Sequence, residues 1–393
     1  MKRIGLFLDS EPFGGGKFQY SLSMLEALLS LPKKEFCCVV GYSSNVWEKK
    51  INSPDIESFF LPRDFPRWLF DRVWRNLGLS IPFWQRLCSK YFTFSRTLLQ
   101  KKCDLWIFPS EDNLAYQLPV PSIVTIFDLM HIYERRFPEV GAYGRFGRRE
   151  YHFKNICRWG KGVLVDSEVG KKQVIDSYKV NSEKVFVLPF VAPSYIFSER
   201  ANNSFDDKYQ LPKKYLFYPA QFWEHKNHNR LINAIYQLKS QLSDLKLVLV
   251  GSKKNAYHSI LENVKKLGLQ NDVIFLGYVP DEDIGEIYRR ARALVMPTFF
   301  GPTNIPPLEA FATGCPVAIS GIYGMPEQLG NAALYFNPLS EEEISESIKK
   351  LWQNDQVCLD LSQKGATRLK FWNQNTFNQK VSEILAKVLE KSD

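Results

Sequence analysis

A lysine between two histidines, in HKNH at 225–228, and a glutamate behind a proline pair, in GPTNIPPLEAF at 301–311, are the residues of this chain best placed to do chemistry. The first group sits in FYPAQFWEHKNHNRL, where an apolar run gives way to Gln221, His225, Lys226, Asn227 and His228 before a helical pattern begins. An ammonium there can neutralise a phosphate, and the amides of Gln221 and Asn227 can donate beside it. The plainer alternative is a polar cap on the helix. Two histidines around Lys-Asn also suggest metal ligands, but no thiol joins them and the one adjacent acid is Glu224, so the sequence argues against a metal. In the second group Pro306 and Pro307 suit a first helical turn, where a missing N–H does no harm. Glu309 then lies in that turn, where the helix dipole favours its ionised form. No other acid occurs between Glu286 and Glu327, and a carboxylate so placed can accept two hydrogen bonds from a vicinal diol. The irregular backbone of Thr303, Asn304 and Ile305 offers N–H groups to hydroxyls or phosphate; a capping glutamate is the structural alternative.

Three further groups carry weaker signals. PFGGGKFQ at 12–19 places Gly15 and Gly16 between a strand and a helix, where the backbone can approach an anion closely, or simply turn. It matches neither GxGxxG nor a Walker A loop. TIFDLMH ends a strand with Asp128 and His131, an acid–base pair or a structural histidine held by an acid. Asp281 and Asp283 form a DxD, which the sequence favours as helix N-capping and dipole pairing over metal binding.

Positioning these loops requires alternating strands and helices, hence an α/β fold with parallel sheets. RIGLFL, FCCVVGY, DLWIFP, SIVTIFD, GVLVDS and KVFVLPF read as strands of a first half. A first helix should carry Phe18, Leu22, Leu25 and Leu29 on one stripe. The pattern restarts with YLFYPA, a helix around 229–242, LKLVLVGS, DVIFLGY, a helix around 284–291, ALVMP and PVAIS, with Gly314 ending the helix of Glu309. Ser340 and Glu343 form a capping box. An amphipathic segment at 375–391 carries Phe377, Val381, Ile384, Leu385 and Val388. The expected organisation is an N-terminal Rossmann-like domain at 1–192, a C-terminal one at 193–372 and a terminal helix at 373–393 that crosses back to the first domain. Two doubly wound halves place ligands at the carboxyl ends of the strands, facing a central cleft.

Composition narrows the function classes. The chain has 393 residues and a net charge of +9, with no apolar run long enough to cross a bilayer. Its seven cysteines show no CxxC and fit thiols in a reducing cytosol, which suggests a cytoplasmic protein. The excess charge is local: residues 63–102 hold nine Lys/Arg, two acids and nine interleaved aromatics. A solvated helical face, or a surface resting peripherally on an anionic membrane, fits this segment better than nucleic acid, for which no binding motif is present.

PPLEAFATGCPVAIS followed by GMPEQLGNAALYFNP resembles the donor-binding region of family 4 retaining glycosyltransferases of the GT-B fold. The FYPAQFWEHKNHNRLINAI, GGGKFQYSLSMLEAL, VLVDSEVGKKQVI and RLKFW stretches fit the same family, so the resemblance spans most of the chain, from Arg3 to about Leu389. It implies a metal-independent enzyme, without cofactor, that moves a hexosyl unit from a UDP- or GDP-sugar to a glycan or lipid-linked acceptor. It further implies that Lys226 contacts the donor diphosphate and Glu309 the ribose, with Thr303, Asn304 and Ile305 against the sugar and Gly15 and Gly16 near the sugar or β-phosphate. Asp128 and His131 would orient acceptor or sugar. The chain departs from the family at Gly301, where the first of two motif glutamates falls, at Gln221, where an arginine falls, and at Phe127, where a histidine falls. Polar groups nearby, His225, Asn227, Asn304 and His131, make this a variant active site. The rival readings are a non-catalytic GT-B protein that binds glycan or supports a partner enzyme, and a sugar-nucleotide epimerase on the same fold.

Overall fold

The computed structural model describes every residue except 13–14, 52, 54–55, 63–73, 75–76, 79, 143, 199–204 and 391–393. Part of the basic segment 63–102, part of the 193–214 linker and the first glycine of the GGG run therefore lie outside the described residues. The chain forms two compact units. Unit 1 comprises Met1–Leu129, Gly147–Pro189 and Gln374–Asp393, and unit 2 comprises Met130–Phe146 and Phe190–Asn373.

Among the described residues, the strands of unit 1 are β1 (Lys2–Leu8), β2 (Phe36–Tyr42), β3 (Glu57–Phe60), β4 (Leu105–Phe108), β5 (Ser122–Thr125), β6 (Gly162–Val165) and β7 (Val185–Val187). They form one parallel sheet in the order β3-β2-β1-β4-β5-β6-β7, with Ile4 opposite Cys38 on one side and Leu105 on the other. The strands of unit 2 are β8 (Leu216–Pro219), β9 (Leu247–Val250), β10 (Val273–Gly277), β11 (Ala293–Met296), β12 (Val317–Ser320) and β13 (Ala333–Phe336). Their order is β10-β9-β8-β11-β12-β13, again parallel. Central strands such as β4, β9 and β12 are buried at every position, as expected of a parallel sheet covered on both faces. The order reverses at β1/β4 and at β8/β11, so the loops leaving these strands flank the crevice where open α/β sheets bind ligands.

The helices largely follow the apolar spacing, with informative exceptions. The helix Gly16–Leu29 buries Phe18, Tyr20, Met24, Leu25, Ala27 and Leu28, while Leu22 and Leu29 of the expected stripe are only half-buried, so the buried face is shifted from the expected one. The shift comes from the helix Gln374–Glu390 of the same unit: Tyr20 meets Phe377 edge-on at 5.9 Å, and Gln374 donates to Ser23 O at 2.9 Å. On that last helix Phe377, Val381, Ile384, Leu385 and Val388 are all buried, each contributing about 2 kcal/mol of transfer free energy. The helix expected at 229–242 runs His228–Leu238. The helix expected at 284–291 starts at Asp281, with Pro280 as N-cap and no side-chain cap. Asp281 and Asp283 therefore meet the dipole-pairing half of the expectation but not the capping half: they sit inside the first turn, and Asp283 accepts from Lys208 and Tyr209, each at 2.6 Å. Of the Ser340–Glu343 box only half forms: Ser340 Oγ accepts from Glu343 N at 3.1 Å, while the Glu343 carboxylate takes the Asn337 N–H at 2.8 Å. Among the described residues no helix is long and apolar enough to cross a membrane.

Candidate active site

In unit 2 the loop after β8 makes a single 3-10 turn, Glu224–Lys226, and passes through Asn227 at φ 60° into the helix His228–Leu238. A left-handed asparagine is tolerated here because its amide is fully used. Nδ2 donates to Pro297 O at 2.9 Å and Pro338 O at 2.8 Å, and Oδ1 accepts from Arg230 at 3.1 Å. Asn227 is thus a bracket between this loop and the one after β11, and its side chain has no donor left for a ligand. Phe299 N donates to His225 O at 2.8 Å and reinforces the same bridge. Tyr218 Oη donates to Lys226 O at 3.0 Å, and Gln221 Oε1 accepts from Trp223 Nε1 at 2.9 Å. Lys226 is half-buried at the mouth of the helix. His228 is buried between the rings of Tyr218 and Phe222, at 4.8 and 4.9 Å. Burial, with the charges of Lys226 and His225 beside it, pushes its pKa down to about 3 and keeps it neutral.

His225 has a partner that its sequence neighbourhood conceals. Its ring Nδ1 lies 2.5 Å from Glu139 Oε1, its backbone N–H donates to the same oxygen at 3.0 Å, and Asn255 donates to Oε2 at 3.1 Å. Burial opposes ionisation of Glu139, but the His225 bonds win and hold its carboxyl at about 2. Glu139 thereby orients the 3-10 turn that carries Lys226. It belongs to the segment Met130–Phe146, which also contributes Phe137 against Phe299 at 5.5 Å and Glu134 as acceptor for Tyr323 at 2.8 Å. His131 lies in this segment too, fully buried, with its ring 5.6 Å from Phe146.

The loop after β11 reaches Gly301 at φ 104°, a conformation that strains any other residue. A Cβ there would sit 2.6 Å from the amide nitrogen of Asn304 and 2.9 Å from Thr303 O. Gly301 and Asn304 are therefore matched, and the volume beside this glycine is already filled. Thr303 is buried, and Asn304 is clamped through its backbone by Gln328, which accepts from its N–H at 3.0 Å and donates to its carbonyl at 2.8 Å. Ile305, also buried, is the N-cap of the helix Pro306–Thr313, with proline in its first turn as the spacing predicts.

Glu309 occupies that first turn, is 6% exposed, and accepts from two phenols, Tyr195 Oη on Oε1 and Tyr288 Oη on Oε2, the latter at 2.6 Å. Its ionisation runs against the sequence expectation. Burial raises its pKa, the tyrosine hydrogen bonds offset only part of the rise, and Asp281 adds to it. Desolvation thus outweighs the helix dipole.

In unit 1, Gly15 (φ 59°) is the N-cap of the helix Gly16–Leu29, and its carbonyl accepts from Phe18 N and Gln19 N at 3.0 and 3.2 Å. Lys17 Nζ crosses to Glu111, beyond β4, at 2.9 Å, and stands 5.6 Å from the Phe127 ring. Asp128, beyond β5, pairs with Arg149 of the helix Arg145–Trp159 at 2.5 Å. His152 of the same helix is hydrogen-bonded to Glu111 O at 3.1 Å and Tyr116 Oη at 3.2 Å. Burial lowers the pKa of His152 to about 4. Burial opposes ionisation of Glu111, yet Lys17 and Arg149 hold its carboxyl well below the usual range. Glu111, Arg149 and His152 escaped sequence reasoning; the one usable signal was an acid two residues beyond the buried strand DLWIFP.

Unit 2 thus combines a cation-bearing loop with a buried hydrogen-bond acceptor across its strand-order reversal, and unit 1 places paired charges and two glycines across its own. Residues 199–368 match the family described as Glycosyl transferases group 1. The chain is 32% identical over 350 residues, 86% of its length and 88% of the relative's, to the O-antigen chain mannosyltransferase RfbU of Salmonella typhimurium. It is 27% identical over 245 residues, 58% of this chain and 64% of the relative, to O-antigen chain mannosyltransferase B of Escherichia coli. Among solved structures it resembles Anabaena HepE in complex with UDP and glucose, with a TM-score of 0.72, 15% identity and 98% and 100% of the two chains covered. It also resembles WaaG, a glycosyltransferase involved in lipopolysaccharide biosynthesis, with a TM-score of 0.66, 15% identity and 97% and 99% covered. At such identity the structural likeness speaks to the fold, which is GT-B.

Proposed function

The chain belongs to the glycosyl transferases group 1 family, and from that premise we propose that it transfers a hexosyl unit, mannosyl by analogy with its relatives, from a UDP- or GDP-sugar to a hydroxyl of a growing cell-surface glycan or lipid-linked acceptor. Transfer is retaining and needs no metal. The observation that carries this reading is the reversal at β8/β11, where the loop of Lys226 and the helix of Glu309 leave adjacent parallel strands. Lys226, oriented through Glu139 and His225, neutralises the leaving diphosphate, with help from the N-terminus of the helix His228–Leu238. Gln221 and His225 border the phosphates, and Asn227 fixes their loop. Glu309 takes the ribose. Thr303 and Ile305 face the sugar through their backbone, while Asn304, whose backbone Gln328 occupies, shapes the loop beside them with its side-chain amide against Gly301.

In unit 1, Gly15 and Gly16 approach the sugar or β-phosphate, and Asp128 orients acceptor or sugar. His131, buried in unit 2, is a positioning residue. The described part of the basic segment exposes Phe83, Arg86, Lys90 and Tyr91 on the helix Ile81–Tyr91 and Arg96 on the helix Thr93–Gln100, side chains suited to peripheral contact with an anionic inner-membrane surface. Nucleotide release from GDP- and UDP-sugars, with lipid-linked and glycan acceptors, tests the proposal. Turnover with one donor and its loss in Lys226→Ala are expected. No turnover with any donor, with nucleotide binding unaffected in Lys226→Ala and Glu309→Ala, would favour the non-catalytic binding protein; an isomerised nucleotide-sugar formed without acceptor would favour the epimerase.

A further inference from the structure

Both carboxylate oxygens of Glu309 are occupied, Oε1 by the Tyr195 hydroxyl and Oε2 by that of Tyr288. A donor ribose held by Glu309, the reading on which this inference rests, needs at least one of them. We propose that the two tyrosines determine how the donor is recognised: Tyr288 keeps Oε2, while Tyr195 holds Oε1 in place of one ribose hydroxyl and yields it when the donor arrives.

The two phenols differ in how freely they can leave. Tyr288 projects from the last turn of the helix Asp281–Arg290, is fully buried, and stacks edge-on against Phe217 at 4.8 Å. Its hydroxyl also lies 3.2 Å from Pro306 O, which ties it to the same first turn as Glu309. Withdrawing it would open the core of unit 2, at the cost of several packed contacts. Tyr195 instead rides on a single 3-10 turn, Ser194–Phe197, and is only half-buried. Ile196 anchors that turn in the core, while Ser194 is exposed and Phe197 is 62% exposed. Rotation of the Tyr195 side chain therefore disturbs little else.

The exchange is chemically even. A phenol and a ribose hydroxyl are both neutral O–H donors to a carboxylate, so a buried acid keeps two hydrogen bonds before and after. An empty site without Tyr195 would leave a desolvated carboxylate oxygen without a donor, which is the costly state. Two consequences follow. Glu309 engages one ribose hydroxyl rather than the full diol, and donor affinity is weaker than the site could provide because Tyr195 competes.

Calorimetric titration of the full-length protein with GDP and UDP, and with the 2′-deoxy and 3′-deoxy forms of the nucleotide that binds, tests both consequences. Tyr195→Phe keeps the ring and should bind the natural nucleotide about three- to tenfold more tightly, the worth of one net competing hydrogen bond. In the wild type only one of the two deoxy nucleotides should lose affinity; in Tyr288→Phe, where Oε2 is released, both should. Weaker or unchanged binding in Tyr195→Phe, or equal losses for both deoxy forms in the wild type, overturns the proposal. Glu309→Gln separates the two levels. If it weakens binding while Tyr195→Phe does not tighten it, the competition fails and the ribose reading stands. If it binds like the wild type, the ribose reading fails and takes the competition with it.

Discussion

The two sheets reverse their strand order at corresponding places, β1/β4 and β8/β11, but the side chains above the two reversals differ in kind. In unit 1 the crossing is made by opposite charges: Lys17 to Glu111, and Arg149 to Asp128 one strand farther on. In unit 2 the crossing is made by neutral groups. The Asn227 amide reaches Pro297, the Phe299 N–H reaches His225, and the acid of the site, Glu309, is held by phenols. An ion pair whose acid is largely buried, as Glu111 is beside the exposed Lys17, resists exchange, because breaking it strands a desolvated carboxylate. A neutral hydroxyl on a carboxylate can be traded for another hydroxyl at little net change. Unit 1 is thus organised to hold a shape, and unit 2 to change partners when a ligand comes.

The sharpest way to break this contrast is to remove the cation on each side. Lys226→Ala should lower kcat/KM by about 10²- to 10³-fold, the scale of losing a preorganised charge at a leaving group. Lys17→Met should cost about tenfold or less, because its ammonium is already engaged by Glu111. Steady-state kinetics with the accepted donor decides; equal losses would erase the distinction.

Restoring the family carboxylate in unit 2 should harm stability more than it helps activity. Gly301→Glu introduces a side chain at φ 104° against Asn304. It is expected to cost about 2–4 kcal/mol, seen as a melting transition lowered by about 5–10 °C. Asn304→Gly in the same chain should recover part of the loss by clearing the volume beside residue 301. An unchanged melting temperature would show that the loop reshapes freely.

The pH dependence of stability should have opposite signs in the two units. Glu111, despite its burial, is held below its ordinary value of 4.5 by Lys17 and Arg149. Its contribution is therefore full above that value and lost as pH falls toward the folded-state value. Glu309 is raised above 4.5 by burial. Its contribution is full below that value and lost as pH rises through the folded-state value. Melting curves of Glu111→Gln should differ most from wild type near neutral pH and converge in acid. Those of Glu309→Gln should improve relative to wild type as pH rises above 4.5. Parallel trends for both variants would contradict the assignment.

The smallest effect concerns neither reversal. Replacing Phe83 and Tyr91 with serine should leave turnover of a soluble acceptor within about twofold, since exposed surface substitutions change little. Co-sedimentation with anionic vesicles should drop. No preference of the wild type for anionic over neutral vesicles would remove the membrane contact from the account.

How much of this was legible in the sequence follows the reach of each interaction. The strands were legible because both faces of a parallel sheet demand unbroken apolar runs, and LWIF, LVLV and VAIS supply them. The place of Glu309 in a first helical turn was legible because prolines and an ending Gly314 punctuate that helix locally. Its ionisation was not, because desolvation depends on packing by Tyr195, 114 residues away, and Tyr288. Sequence separation likewise hid Glu139 from His225, 86 residues apart. Asp281 and Asp283 misled for the opposite reason: their local pattern suited a cap, but the helix began early and Lys208 and Tyr209 claimed Asp283.

A crystal structure of the protein soaked with the nucleotide it binds tests the central claim most directly. The diphosphate is expected against Lys226 and the start of the helix His228–Leu238, with one ribose hydroxyl on Glu309 Oε1 and Tyr195 turned away. A nucleotide seated elsewhere, with Tyr195 and Tyr288 both still on Glu309, would contradict it.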